Sequence, residues 1–343
     1  MVGLGCLLVV CVPKLLVVVT AQATLGAASA IIPPALAALS LGIVGRKLFP
    51  PRVSRNESFN HGGNFAAAIL AGTVGQRFGY HWIFYLVCLF ALGSAVAVAL
   101  IRPQEINRTV ARGGDERDPR TEAGQSGRPI PIPDLFRKRD LMIFLVCVVL
   151  FHFGSAAMLP MAGQVLAKTH PGADIVALSA CIITAQLVMI GIAATVGWAI
   201  RRGVGRKAIF LVAFVTLPIR GFLFTLTDSP FGVVAIQLLD GVAAGIFGVI
   251  SIIIAADLMR GTGRFNLAQG LVALSTGLGA AASNVCAGFV VQVFGYTIGF
   301  VTLAAIAVGG LVFFASLMPE TKPEQSIRLE SSQGGTPLSL PES

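Results

Sequence analysis

Residues 76–84 read QRFGYHWIF and residues 292–300 read QVFGYTIGF, so one chain writes Q-x-F-G-Y-x-x-x-F twice, 216 positions apart. Each copy sits between two long apolar runs, which makes it a turn at a boundary. The chain is 55% hydrophobic and only 12% charged, with a mean hydropathy of +0.83, outside the range of soluble globular chains. A helix needs about 20 mostly apolar residues to cross a hydrocarbon layer roughly 30 Å thick. Nine runs have that length: about 15–44, 57–77, 82–101, 140–166, 175–200, 207–227, 231–257, 264–293 and 296–318. A tenth, shorter run covers 2–12; it lacks the basic start and small-residue cleavage site of a signal peptide, and reads as half a helix. The fold class is therefore an all-α polytopic, multi-pass integral membrane protein surrounded by lipid.

Lys and Arg set the orientation, because short cytoplasmic loops retain them. Of the 25 basic residues, 21 fall on alternate connections, at 46–55, 102–139, 201–207, 260–264 and 322–328. Those segments, including the long 102–139 loop and the C-terminus, are expected in the cytoplasm. The net charge of +9 is then a topology signal. It carries no aromatic-interleaved basic surface of the kind that binds nucleic acid, so a nucleic-acid partner is not expected. The six cysteines all lie inside apolar runs without C-x-x-C spacing or a histidine at ligand distance, and read as packing residues with no metal. The Asn56-Glu57-Ser58 and Asn107-Arg108-Thr109 sequons fall on the cytoplasmic side and are discounted.

The 102–139 loop is the one long polar stretch between helices and divides the chain into 1–101 and 140–318, followed by a cytoplasmic tail, 319–343, expected to be disordered. The two units echo each other. Gln22-x-x-x-Gly26 corresponds to Gln237-x-x-x-Gly241, and Phe59-Asn60 to Phe265-Asn266, the last pair placed at the cytoplasmic start of a helix. Ordered echoes of this sort are what parallel repeats leave behind in transporters. Counting back from each glutamine, the first unit is shorter by about 77 residues, roughly two helices and part of a third. The reading is two pseudo-repeated helical bundles, the N-terminal one incomplete, as if helices three to twelve of a twelve-helix design.

Two six-helix units joined by a long charged cytoplasmic loop resemble the major facilitator superfamily of secondary transporters. GWAIRRGVGRK, 197–207, is similar to that family's G-x-x-x-D-R-x-G-R-R/K turn, with Gly197, Gly205, Arg206 and Lys207 in matching positions. It departs by one inserted residue and by Arg201 or Arg202 at the acidic position. Pro319-Glu320-Thr321-Lys322 resembles the P-E-T-K that ends the last helix in many members. The resemblance implies a central cavity lined by the runs 15–44, 140–166 and 231–257. It also implies alternating access, a small-molecule substrate, protons as coupling ion, efflux, and a place in the plasma membrane or a bacterial inner membrane. No cofactor is implied.

A few polar residues lie deep in the apolar runs, where an ionisable group costs about 2.5–3.5 kcal/mol and usually faces a cavity or a partner. Asp240 stands ~15 Å along its helix from the turn at Pro230 and Arg220 ~12 Å from the same turn on the preceding helix, so the two are at a level to meet. They read as a substrate or proton site, or as a static pair between helices. His152 lies mid-helix in 140–166, with an imidazole that titrates in the physiological range. Gln22, Gln237, Gln164 and Gln186 supply neutral hydrogen bonds to substrate or between helices. Asn60, His61 and Asn64, in RNESFNHGGN, are expected to open a helix at the cytoplasmic face as a gate contact, with Phe265 and Asn266 in the second unit. Gly72, Gly75, Gly277, Gly279 and Ser283 read as close-packing positions, and Pro33-Pro34 and Pro160 as kinks or breaks.

No phosphate loop, H-E-x-x-H or Ser/His/Asp set lies outside the runs, so soluble catalysis is not expected. His61 with Glu57 is the one pair a polytopic membrane enzyme would use. The other alternative is a truncated or regulatory relative that does not transport.

Overall fold

The computed structural model describes residues 14–79, 81–114, 129–172 and 174–323, apart from the side chains of Gln22, Leu25, Ser29, Asp174 and Ile175. The apolar run 2–12 therefore lies outside the described residues, as does the side chain of Gln22. Nine long helices follow one another among them: α1 Leu15–Phe78, α2 His81–Ala99, α3 Arg139–Ser155, α4 Met158–Thr169, α5 Asp174–Arg201, α6 Arg206–Leu223, α7 Pro230–Leu258, α8 Phe265–Phe294 and α9 Tyr296–Leu317. Seven spans are long and apolar enough to cross a membrane, with α3 and α4 counting as one.

At 64 residues, α1 would be about 96 Å long if straight, three times the hydrocarbon thickness. It reverses at Gly45, where φ 69 and ψ 172 leave the helical region in a way open to glycine. Asn56 Nδ2 donates to Ser40 Oγ at 2.9 Å, although 16 positions of straight helix would separate them by ~24 Å. The two arms, 15–44 and 46–78, therefore double back on each other. The second arm begins at Arg46, eleven residues before the apolar run. Phe49 and Val53, 2% and 3% exposed, anchor this polar stretch by burial, which overrides its composition.

That start corrects two expectations. RNESFNHGGN does not open a helix at the cytoplasmic face: it lies inside the second arm, His61 being ~22 Å from Arg46 along the axis. The Phe59 echo of Phe265 also fails in space, since Phe59 is 69% exposed and Phe265 fully buried at the first turn of α8. Phe49 takes the corresponding place and meets Phe265 edge to face, ring centroids 6.0 Å apart. Pro33-Pro34 breaks nothing, for α1 keeps helical backbone through both.

The expected break in 140–166 is present. α3 ends at Ser155 and α4 starts at Met158, because Pro160 has no N–H for the carbonyl of Ala156 and its ring crowds that carbonyl. Ser283 Oγ of α8 accepts from Ala157 N at 3.0 Å, so the broken turn keeps a partner. Gly279, one turn earlier on α8, brings that helix onto the Val149 carbonyl and His152 Cβ, while Gly277 and Gly72 have nothing within 4 Å.

The opening repeat is also a repeat in conformation. Gly79 (φ 92, ψ 164) and Gly295 (φ 85, ψ 173) close α1 and α8 with nearly identical backbones, each donating to the carbonyl four residues back at 3.0 Å. Only glycine occupies that region without strain. The core takes in Leu41, Phe49 and Val53 of α1, and its aromatic centre lies after the linker, where Phe151, Phe210, Phe214 and Phe314 join α3, α6 and α9. α2 buries no residue, as a lipid-facing helix does.

Candidate functional site

Arg220 of α6 and Asp240 of α7 meet: Nη1 lies 2.6 Å from Oδ1, with side chains 2% and 25% exposed. The guanidinium also stands over the Phe224 ring, 5.6 Å from its centroid. Asp240 turns its remaining surface into a cavity of about 280 Å³ bounded by α3, α4, α6 and α7. Phe151, His152, Ser155 and Pro160 form one wall, and Ala243 and Phe247 the other. The turn between α3 and α4, with Ala156 and Pro160, lines this space. Irregular backbone at such depth is tolerated where it lines a cavity. A larger crevice of about 320 Å³ between the second arm of α1 and α2 is lined by Val74, Phe78, Trp82, Tyr85, Leu86 and Leu89. It offers no charged group and nothing to orient a polar ligand.

His152 shares the polar cavity. Its Nδ1 donates to the Val148 carbonyl at 3.0 Å, and its ring stands edge-on to Phe247 at 4.6 Å. The glutamines do not join it. Gln164 Oε1 accepts from Tyr296 OH at 3.1 Å, tying α4 to α9. Gln186 reaches His61 of α1 at 2.9 Å. Gln237 is fully buried and neither of its amide atoms has a partner. Gly241 and Gly245 pack on Ala185 and Met189 of α5, so Gln237, one turn earlier, comes level with Cys181 and not with the cavity.

The second cluster lies at the end of the helices that meets the linker. Ser54, Ser58 and His61 form a stripe on α1 that bonds the Ala193 carbonyl at 2.5 Å, the Ile190 carbonyl at 3.2 Å and Gln186 of α5. Gly197 of α5 lies directly against Ser54, where a side chain would part the helices. Arg206 Nε pairs with Asp257 Oδ2 at 3.2 Å. Glu320 accepts from the first two backbone N–H groups of α6, Arg206 N at 2.9 Å and Lys207 N at 3.1 Å. A carboxylate there is favoured by the unpaired donors and the dipole of the helix. Gly205 leaves room for it, and Lys322 Nζ donates to the Gly203 carbonyl at 2.9 Å. Residues 319–323 are thus docked, which corrects the expected disorder from residue 319; residues 324–343 lie outside the described part. Asn60 donates to Glu57 Oε2 at 3.2 Å, while Asn64 and Asn266 are exposed.

The linker joins this cluster. Asn107 N donates to the Gly42 carbonyl at 2.9 Å, Gly261 N to Gly113 at 2.8 Å and Phe265 N to Arg112 at 3.0 Å. Arg46 donates to the Gly113 and Ala256 carbonyls at 2.8 and 3.2 Å. Sequence reasoning missed Asp257 and Glu320 as partners of the Arg206 turn. Their signal was in plain view: an acidic residue at the last turn of an apolar run, and the P-E-T-K glutamate. Among the described residues no group of three His, Cys, Asp or Glu side chains is placed to hold a metal ion.

This architecture has relatives. Uncharacterized MFS-type transporters of Mycobacterium tuberculosis, from strains CDC 1551 / Oshkosh and ATCC 25618 / H37Rv, are 41% identical to it over 319 residues, 90% of this chain and 73% of theirs. The sequence profile of the Major Facilitator Superfamily matches residues 1–217 and again residues 144–341. The chain belongs to the Major Facilitator Superfamily, a family of membrane transporters and not of enzymes.

Proposed function

We propose that the chain is a secondary active transporter that exports small organic molecules across the plasma membrane or a bacterial inner membrane, driven by protons. The observation that carries this reading is the Arg220–Asp240 pair on the wall of the 280 Å³ cavity. The cost of burying two charges is not offset by stability alone, and intramembrane ionisable groups mark transport paths. The substrate body fills the space between Phe151, Phe247 and Pro160, and its polar end meets Asp240. In this reading the unit 1–101 rocks against the unit 140–318, whose helices hold the site, and the 102–139 linker spans them on the cytoplasmic side. The closed cytoplasmic seam makes the described conformation the one with its inner gate shut.

The test is flux in proteoliposomes holding the purified chain, with a panel of fluorescent organic compounds and an imposed pH gradient. Gradient-driven movement of at least one compound, abolished in Asp240→Asn, is the expected result. Equal flux in wild type, variant and empty liposomes for every compound would refute the proposal.

A further inference from the structure

Glu57 and His61 stand one turn apart on the second arm of α1, their side chains 19% and 11% exposed, with Oε2 3.9 Å from Nε2. The other ring nitrogen, Nδ1, bonds Gln186 Oε1 on α5 at 2.9 Å, so one imidazole touches both sides of the seam. Its Nε2 is buried and has no hydrogen-bond partner. Gly248 of α7 forms the third wall: a Cβ there would stand 3.4 Å from Glu57 Oε2 and 3.9 Å from His61 Nε2.

When Nδ1 donates to Gln186 Oε1, this junction is one hydrogen short. A neutral ring that donates from Nδ1 to the Gln186 oxygen presents a lone pair at Nε2. That lone pair faces a carboxylate, a second acceptor, whose donor here is Asn60 Nδ2 at 3.2 Å. Two acceptors facing each other away from water leave desolvated groups unsatisfied. A single proton on Nε2 turns the opposition into an ion pair across 3.9 Å.

We propose that Glu57 and His61 form the binding site of the coupling proton, separate from the substrate cavity. The proposal rests on the proton-driven reading of the transport function. The proton arrives from water, adds to Nε2, and leaves an imidazolium paired with the Glu57 carboxylate; on release it returns to water on the other side. The groups in the cavity are already engaged, Asp240 by Arg220 at 2.6 Å and His152 Nδ1 by the Val148 carbonyl at 3.0 Å. The titratable groups at the junction are Glu57 and His61, since α5 presents Gln186 and α7 presents Gly248, neither of which ionises. Position gives the site its role. Phe247 lines the cavity and the next residue, Gly248, touches the proton site, so one helix is the wall between them. Loaded, His61 donates across the seam to Gln186 and pairs along α1 with the Glu57 carboxylate. Empty, it keeps the Gln186 bond and turns a lone pair toward that carboxylate, which changes the charge that α7 meets at Gly248.

The experiment uses the full chain, labelled with ¹⁵N-histidine, in lipid nanodiscs at a series of pH values. The chain has four histidines, and the His61 signal is the one missing from His61→Asn. Acidification is expected to place a directly bonded proton on His61 Nε2. The isosteric Glu57→Gln is expected to displace or abolish that step, and Asp240→Asn to leave it unchanged. In proteoliposomes, Glu57→Gln is expected to lose gradient-driven accumulation while retaining downhill exchange of the same compound. Gradient-driven transport with Nε2 unprotonated at every pH where the chain is folded overturns the site and spares the transport reading. A His61 titration that Glu57→Gln leaves in place overturns the site in the same way. A protonated His61 in a chain that moves no compound overturns the coupling role.

Discussion

Removing either member of the Arg220–Asp240 pair should not cost the same, and the difference follows from where each side chain ends. Asp240→Asn leaves a guanidinium that is only 2% exposed and whose Nε already has no partner. An uncompensated charge at such a place costs about 3–5 kcal/mol. Arg220→Met leaves a carboxylate that is 25% exposed on the cavity wall, where water can reach it, so its cost falls nearer that of one lost polar partner, about 1–3 kcal/mol. The double variant Arg220→Met, Asp240→Asn removes both charges and leaves a methionine beside a neutral amide on the cavity wall, a change that costs little beside an unpaired buried charge. The cycle should therefore return a coupling of about 5 kcal/mol. Equilibrium unfolding in mixed micelles, followed by the fluorescence of Trp82 and Trp198, measures all four forms. Additive single effects, or Asp240→Asn milder than Arg220→Met, would refute the argument from burial. A folded double variant that still transports would remove the pair from the mechanism.

Gly279→Val should destabilise by about 1–3 kcal/mol through overpacking, because the new side chain meets the Val149 carbonyl and His152. Gly277→Val, with nothing within 4 Å, should leave the melting temperature nearly unchanged, and the two melting curves together check the packing. Ser283→Ala strips the acceptor from Ala157 N and should cost about 1–3 kcal/mol, with faster amide exchange confined to the turn between α3 and α4. Glu320→Ala removes the acceptor for Arg206 N and Lys207 N; about 0.5–2 kcal/mol of helix-end stability should go, and trypsin should cut faster at Lys207.

Much of this fold was legible because membrane helices are dictated by hydrophobic length, and the ends of most apolar runs fall within one or two residues of the helix ends. The exceptions have physical causes. Residues 46–56 are polar and carry Pro50-Pro51, so composition argued against a helix; burial of Phe49 and Val53 against distant partners decided otherwise. The helix that starts at Arg46 places His61 about four turns inside it. Composition therefore disguised a buried titratable group as a loop residue. The meeting of Arg220 with Asp240 was legible from depth alone, since rise per residue and one shared turn place both at one level. The partners of the glutamines were not, because an amide's choice among neighbours depends on helix rotation and register.

α7 shows why the cavity and the seam should act together. Along one helix of 29 residues, Asp240 and Phe247 face the cavity, and Gly241 and Gly245 lie on α5. Gly248 lies on Glu57 and His61, while Ala256 and Asp257 bind Arg46 and Arg206. Its one proline stands in the first turn, so no hinge interrupts the stretch from Asp240 to Asp257. Gly241 and Gly245 put backbone against side chains of α5 with no room for a Cβ, and packed interfaces of that kind shift between discrete arrangements more readily than they deform. A ligand that pushes Asp240 must then either leave α7 where it is, in which case the cavity cannot be coupled to the seam, or move Gly248 with it and change the space around His61. The second course gives substrate and proton a shared mechanical element without any contact between them.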